Sequence, residues 1–277
     1  MRTPRGRAGA AVGQVALAAW YVLPLVPLVI WAVATRWPYP AALPTQWGGA
    51  GPAVAGDPLT WTALVLSGAI GLATALIAVP AGAMAAFALP SLTPSLRRVT
   101  LLVLLSPVLV PPLVVALGIN VVLLRLRIPP LLGVALILAL LALPYVVLVM
   151  RAALAGYDRG MEDQARLLGA APRDVLWRIR APLLARPLVM AAFLAFLVGW
   201  TDYVVTLIVG GGSLISVPLL VGGAASGSGN DSRVAVLSVL AVLPPLALLA
   251  LASIPRRKRA HKHAAIRLPA PAPEVLV

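Results

Sequence analysis

Long greasy runs separated by short charged breaks dominate the chain. Runs free of Asp, Glu, Lys and Arg cover 8–35, 58–96, 99–124, 128–150, 187–201 and 234–255. A helix that crosses the hydrocarbon of a bilayer needs about 20 mostly apolar residues. Each run has room for one, the fifth by continuing apolar past Asp202 to about 209. The 58–96 run has no polar break inside 60–88 and ends in Pro90-Ser-Leu-Thr-Pro-Ser, which reads as a turn. It therefore holds one long helix and a loop. The pattern predicts an all-α integral membrane protein with six transmembrane helices, at about 10–34, 60–88, 99–124, 130–150, 187–209 and 233–254.

Composition agrees. Of 277 residues, 61% are hydrophobic and 11% charged, against about 25% charged in an ordinary soluble domain. So little polar surface could not cover a protein of this size in water. The chain has no cysteine, which excludes disulfides and Cys-based metal sites. Its two histidines, His261 and His263, sit together in a basic tail, which argues against a His-based zinc or catalytic site.

The net charge of +14 would suggest nucleic acid in a soluble protein, but its distribution gives a different reading. Cytoplasmic segments of membrane proteins carry the excess of Lys and Arg. With both termini inside, all of the 22 basic residues except Arg36, Arg125, Arg127 and Arg233 fall in cytoplasmic segments. These are the N-terminus 1–9, the loop after the second span, the segment 151–186 and the tail 256–277. The tail, Arg256-Arg-Lys-Arg-Ala-His-Lys-His, reads as an anchor following a span, with anionic lipid as the alternative partner. No nucleic acid is expected. The first run is longer than the apolar core of a signal peptide, so an uncleaved first helix is expected. Trp31, Trp37, Tyr39, Trp47 and Trp61 cluster where helices 1 and 2 meet the outer interface.

Residues 151–186 break the pattern, crowding charges, a Gly and prolines between two apolar runs. They read as two short helices. Asp158 can cap the first, with Glu162 and Asp163 in its opening turns, and Gly169 supplies its stop. Pro172 suits the first turn of the second helix, and Pro182 limits its end. Ala165, Leu168 and Gly169 offer a small-residue face flanked by Arg166 and Arg173. Such a surface suits docking against another protein and carries no metal ligands or nucleophile–base pair. An ordinary solvated amphipathic loop is the alternative.

The spacing here is similar to that of a known family. Membrane subunits of ATP-binding-cassette importers carry a cytoplasmic loop of pattern Glu-Ala-Ala, three residues, Gly, nine residues, Ile-x-Leu-Pro. This chain has Asp163-Gln-Ala165, three residues, Gly169, nine residues, then Ile179-Arg-Ala-Pro182. Asp163, Gln164 and Ala181 depart from the pattern, and Glu162 completes an acidic pair. Further stretches resemble the same family: Ser106-Pro-Val-Leu-Val-Pro-Pro, Leu143-Pro-Tyr-Val-Val-Leu-Val-Met-Arg, Phe196-Leu-Val-Gly-Trp-Thr-Asp-Tyr and Ser216-Val-Pro-Leu-Leu. Together they cover about 58–255. They look most like the second permease of the branch that takes up polyamines, iron, thiamine and 2-aminoethylphosphonate.

The resemblance implies a type I importer fold in a bacterial inner membrane. It implies a coupling loop that engages a dimer of cytoplasmic ATPases through Glu162, Asp163, Ala165, Arg166, Gly169, Ile179 and Pro182. It also implies a second permease, of different sequence, and an extracytoplasmic solute-binding protein. The chain has no Gly-x-x-x-x-Gly-Lys-Ser/Thr phosphate loop. ATP and Mg are then expected in the separate ATPase, with no cofactor bound by this chain and no enzymatic activity of its own.

Asp202 is the lone acidic residue inside an expected span. At 1.5 Å per residue from Pro187 it lies about 22 Å into the bilayer. An intramembrane carboxylate is a functional candidate by default. Either it lines the translocation pathway, or it is structural and bonded to neighbours such as Trp200 or Tyr203. Asn120, Tyr203 and Thr206 join it as pathway candidates; for Asn120 the alternative is an interhelical hydrogen bond. Ser67, Gly68, Gly71 and Thr74 form a small-residue stripe suited to close helix packing, and Pro80 is expected to kink its helix. The 210–231 segment is expected to hold a short partial helix around Val217. The competing class is a secondary transporter or channel without an ATPase, which should show more intramembrane charge or an inverted repeat; neither is evident. A lone carboxylate in the outer half leans towards a cationic solute such as a polyamine, but the branch it resembles also moves anions, so the solute stays open.

Overall fold

The computed structural model describes residues 22–158, 160–227, 229 and 231–253, with six further helical positions between 13 and 20. The N-terminal segment 1–9 and the tail 256–277 lie outside the described residues, as do several positions of the first expected span. The described chain is helical apart from one small hairpin. Its elements are α1 (Leu25–Val33), β1 (Ala34–Arg36), β2 (Gln46–Trp47), α2 (Gly51–Gly56), α3 (Pro58–Ala88), α4 (Pro94–Leu105), α5 (Pro112–Arg125), α6 (Pro130–Ala155), α7 (Gly160–Leu167), α8 (Pro172–Trp200), α9 (Val204–Gly210), α10 (Val217–Ala225) and α11 (Asp231–Ser253). The two strands pair antiparallel. Among the described residues four helices, α3, α6, α8 and α11, are long and apolar enough to cross a membrane. The bent pair α4 and α5 makes a fifth span if the two count as one.

That pair corrects the expectation of a single third span over 99–124. The chain bends by 98° between α4 and α5. The cause is local. Pro107, Pro111 and Pro112 lack amide donors, and a residue before proline is pushed out of the α region. The break is a 3₁₀ turn at Ser106–Val108, after which Pro111 is extended.

The fifth expected span, 187–209, is also corrected at both ends. Pro182 does not end a separate short helix. The helix that begins at Pro172 runs through Pro182 and Pro187 to Trp200. A π-helical segment, Val175–Arg180, lies just before Pro182. It contains Arg178, whose carbonyl would lose its partner to the proline and clash with its ring in a regular α-helix. The widened turn relieves both. At the other end the helix stops at Trp200 and restarts as α9, so residues 201–203 form a break.

Elsewhere proline is absorbed: α3 continues through Pro80, α6 through Pro144 and α11 through Pro244 and Pro245. Neighbouring helices and local backbone adjustment make this tolerable in spanning helices.

The core sits between α3, α6 and α8, and it is made of small residues. Ala75, Ala78 and Ala86 of α3, Ala139 and Ala142 of α6, and Ala191 and Ala195 of α8 are all buried in one cluster. Lipid gives helices no hydrophobic reason to associate, so close van der Waals contact must do it. Glycine takes this furthest. A Cβ on Gly199 would lie 2.7 Å from the Cα of Gly71, and one on Gly71 would lie 2.8 Å from the Phe196 ring. Backbone meets backbone where α3 crosses α8. Of the expected stripe, Ser67, Gly71 and Thr74 are buried there and Gly68 is half-buried. A second cluster joins Ile70, Val134, Ile137, Val205 and Val209, bringing α9 against α3 and α6.

At the Pro58 end of α3, long-range polar bonds tie the chain together. Asp57 accepts from the Leu59 amide at 2.9 Å and pairs with Arg233 at 3.0 Å. The Ala50 amide donates to Ser232 Oγ at 2.8 Å. Ser67 Oγ, buried in α3, accepts from the Val217 amide at 2.8 Å and so seats the start of α10. Of the expected aromatic belt, Tyr39, Trp47 and Trp61 are exposed, and Trp37 donates to the Ala41 carbonyl at 2.7 Å within the hairpin loop.

Candidate functional site

The 151–186 segment begins as α6 ends. Asp158 Oδ1 accepts from the Gly160 amide at 2.8 Å and starts α7. The far end of α7 is closed by a pair of bonds. The Gly169 amide donates to the Arg166 carbonyl at 3.0 Å, and the Ala170 amide donates to the Ala165 carbonyl at 3.0 Å. This pairing satisfies carbonyls that a helix end would otherwise orphan, and it requires a left-handed residue at its centre. Gly169 supplies it with φ +84°. A Cβ there would meet nothing within 4 Å, so glycine is needed for its backbone and not for space. Ala171 is then extended ahead of Pro172, which opens α8.

The turn leaves an exposed apolar tip. Leu167 and Leu168 are 87% and 88% exposed, and Trp177 is 66% exposed. Asp163 is also exposed, 3.5 Å from Arg166. Ala165 and Ile179 are half-buried, and Pro182 is exposed.

Glu162 behaves differently from its neighbour. It is buried, with both carboxylate oxygens taken. Oε1 accepts from the Tyr157 hydroxyl at 2.6 Å and from Arg180 Nε at 2.8 Å. Oε2 accepts from Arg180 Nη2 at 2.6 Å and from Arg166 at 3.3 Å. The Arg180 bonds hold the Glu162 carboxyl down at about 2, against the cost of burial, with further help from Tyr157 and Arg166. The same carboxylate and its own burial raise the Tyr157 hydroxyl. The sequence offers Arg166 only as a flank of the small-residue face, although it stands one helical turn on from Glu162. Sequence reasoning misses Tyr157 and Arg180, the second because it lies 18 residues away beyond a turn.

The expected pathway residues gather less tightly. Asp202 sits in the break between α8 and α9. Its Oδ2 accepts from the Thr206 amide at 2.7 Å and the Thr206 hydroxyl at 2.9 Å, and its Oδ1 accepts from the Val205 amide at 3.3 Å. It caps α9. Thr206 is buried, and Tyr203 packs its ring against Gly222 of α10. Asn120 is half-buried on α5. A cavity of about 300 Å³ between α10 and α11 is lined by Leu219, Leu220, Gly223, Ala224, Arg233 and Leu237. An apolar one of about 160 Å³ lies between α3 and α6. Neither is lined by Asp202, Asn120, Tyr203 or Thr206. Among the described residues there is no cluster of three or more metal-ligating side chains.

Residues 78–256 match the family described as binding-protein-dependent transport system inner membrane component, which is well over half of the chain. The chain belongs to this family. It is a permease subunit of a binding-protein-dependent ATP-binding-cassette importer, and it passes through the membrane several times. Its family is one of membrane permease components, which are generally non-catalytic. No curated protein matches the permease. A solved structure supports the fold independently. It is a chain of a bacterial ABC transporter involved in the import of the acidic polysaccharide alginate, with 17% identity and a TM-score of 0.60. The match covers 91% of the permease and 97% of that chain.

Proposed function

We propose that α7 and the start of α8 are the surface by which this permease engages a dimer of ATP-binding-cassette ATPases, which bind ATP and Mg. The observation that carries the proposal is the tip. Two leucines almost wholly in water, beside an exposed tryptophan and an exposed Asp163, are costly unless a partner covers them. Closure of the ATPases would then push on α7 and move α8. The substitution Gly169→Arg tests this. It places a side chain in a left-handed conformation and adds bulk at the tip. The expected result is a subunit that still inserts but no longer supports uptake or retains the ATPase on purification. Normal uptake would overturn the assignment.

On the same reading the permease has six spans with both termini in the cytoplasm of a bacterium. It pairs with a second permease of different sequence and receives solute from an extracytoplasmic binding protein. Neither described cavity is lined by Asp202, Asn120, Tyr203 or Thr206, which supports a pathway completed by a second permease. We assign Asn120 and Tyr203 to the translocation pathway, and Asp202 with Thr206 to the wall that positions them. The donors on Asp202 come from its own helix, which weakens the argument from a lone carboxylate to a cationic solute. Membership of the polyamine, iron, thiamine and 2-aminoethylphosphonate branch then rests on the resemblance in sequence, and the solute class on the binding protein.

A further inference from the structure

Glu162 joins four elements. Its own helix is α7. Arg180 comes from the stem of α8, at the last position of the π segment, and its guanidinium also lies over the Phe87 ring of α3, 5.0 Å from the centroid. Tyr157 follows α6, and its ring packs on the core between α3, α6 and α8. The covalent link between α7 and α8 is soft by comparison: a left-handed Gly169 and an extended Ala171. Two helices joined that way would hinge under load. The Arg180–Glu162 pair spans the hinge with two short charge-assisted bonds in the fork geometry that resists rotation.

We propose that Glu162 is a positioning residue that bolts α7 to the stem of α8, so that a push on the exposed tip reaches the membrane helix instead of bending the Gly169 turn. This rests on the docking role of the tip given above. It separates the two acidic neighbours. Asp163 is exposed and held only by the exposed Arg166, so it can meet a partner, whereas Glu162 cannot touch one without first releasing Arg180 and Tyr157. Arg180 acts through Glu162 and Phe87, and Tyr157 holds the carboxylate from the side of α6.

The chain has no cysteine. Spin labels on Gln164→Cys in α7 and Leu183→Cys in α8, both exposed positions, therefore read the interhelix distance without background. The distances are read on the labelled permease alone; ATPase retention and solute uptake per ATP hydrolysed are measured on the unlabelled permease reconstituted with its partner permease and ATPase. The expected result is a narrow distance distribution in the parent and a broad one in Glu162→Gln. In that variant the ATPase stays bound and active, but uptake per ATP falls about tenfold, the scale of losing a charge-assisted bond. The exchange Glu162→Arg with Arg180→Glu should recover part of both. A narrow distribution with unchanged uptake per ATP in Glu162→Gln overturns the proposal. So does loss of ATPase binding in that variant, which would make Glu162 a docking group. Should Glu162→Gln fail to insert, Arg180→Lys takes its place, keeping the charge and removing the fork. Broadening with uncoupling supports the bolt, and an unchanged distribution refutes it. If the parent itself binds no ATPase, the docking role falls, while the label distances still decide whether Glu162 holds the two helices together.

Discussion

Two carboxylates, Glu162 inside α7 and Asp202 in the break between α8 and α9, are satisfied in opposite ways. Glu162 draws its partners from afar: an arginine 18 residues on, a tyrosine from the preceding helix end, and a second arginine. Asp202 draws its partners from the next four residues, as two backbone amides and a hydroxyl, all neutral. Where water and charge are available, a carboxylate can knit distant elements together. Inside an apolar bundle, the cheapest partners are the orphaned amides of a helix start. The first arrangement carries force between elements, and the second fixes the shape of one.

If Asp202 is the local cap that its bonds describe, its removal should be the larger blow to the isolated subunit. Asp202→Ala leaves two amides and the buried Thr206 hydroxyl without their acceptor. The expected loss is about 1–3 kcal/mol, read as a lower unfolding midpoint in detergent. Asp202→Asn keeps an acceptor and should recover most of that stability together with uptake. Asn with parental stability but no uptake would show that the charge itself serves transport, and the contrast with Glu162 would fail.

A smaller effect separates the two sites by pH. The Glu162 carboxyl is lowered from 4.5 to about 2. A group whose folded pKa is depressed contributes stability that is complete above its unfolded value and is lost as pH falls through the folded one. The α7–α8 distance distribution should therefore be constant at and above about pH 5 and broaden only as pH falls from 4.5 towards 2. Broadening already near neutral pH would mean that Arg180 does not hold the carboxylate.

The contrast also explains what could be read without coordinates. Spans built on an unbroken apolar run, such as α3, α6 and α11, are visible because length and hydropathy decide them. So are Asp158, Gly169 and Pro172, because caps and stops depend on residues within one turn. Two of the three misplaced boundaries involve proline. Pro182 looks like a terminator and Ser106-Pro-Val-Leu-Val-Pro-Pro lies within an apolar run, yet the helix persists at the first and breaks at the second. Which happens depends on whether a neighbouring turn can widen to absorb the lost bond, as Val175–Arg180 does. Composition does not report that. Counting along an unbroken helix places Asp202 deep in a span; with the break at 201–203 the same residue becomes a cap. The Glu162–Arg180 pair depends on the direction in which the Gly169 turn sends α8, which no local signal encodes.

The smallest expected effect isolates burial as the variable. Asp174 and Arg178 form a pair one helical turn apart at 3.3 Å, close in chemistry to Arg166 with Glu162. Their side chains are 49% and 81% exposed, so water screens the charges and fixing two long side chains offsets most of the attraction. Arg178→Ala should change the unfolding midpoint by no more than about 0.5 kcal/mol equivalent and leave the α7–α8 distance distribution as it was. The same truncation at Arg180 removes the fork from a buried carboxylate and should broaden that distribution. If Arg178→Ala broadened it equally, the stiffness of the segment would come from its total charge and not from where Glu162 is placed.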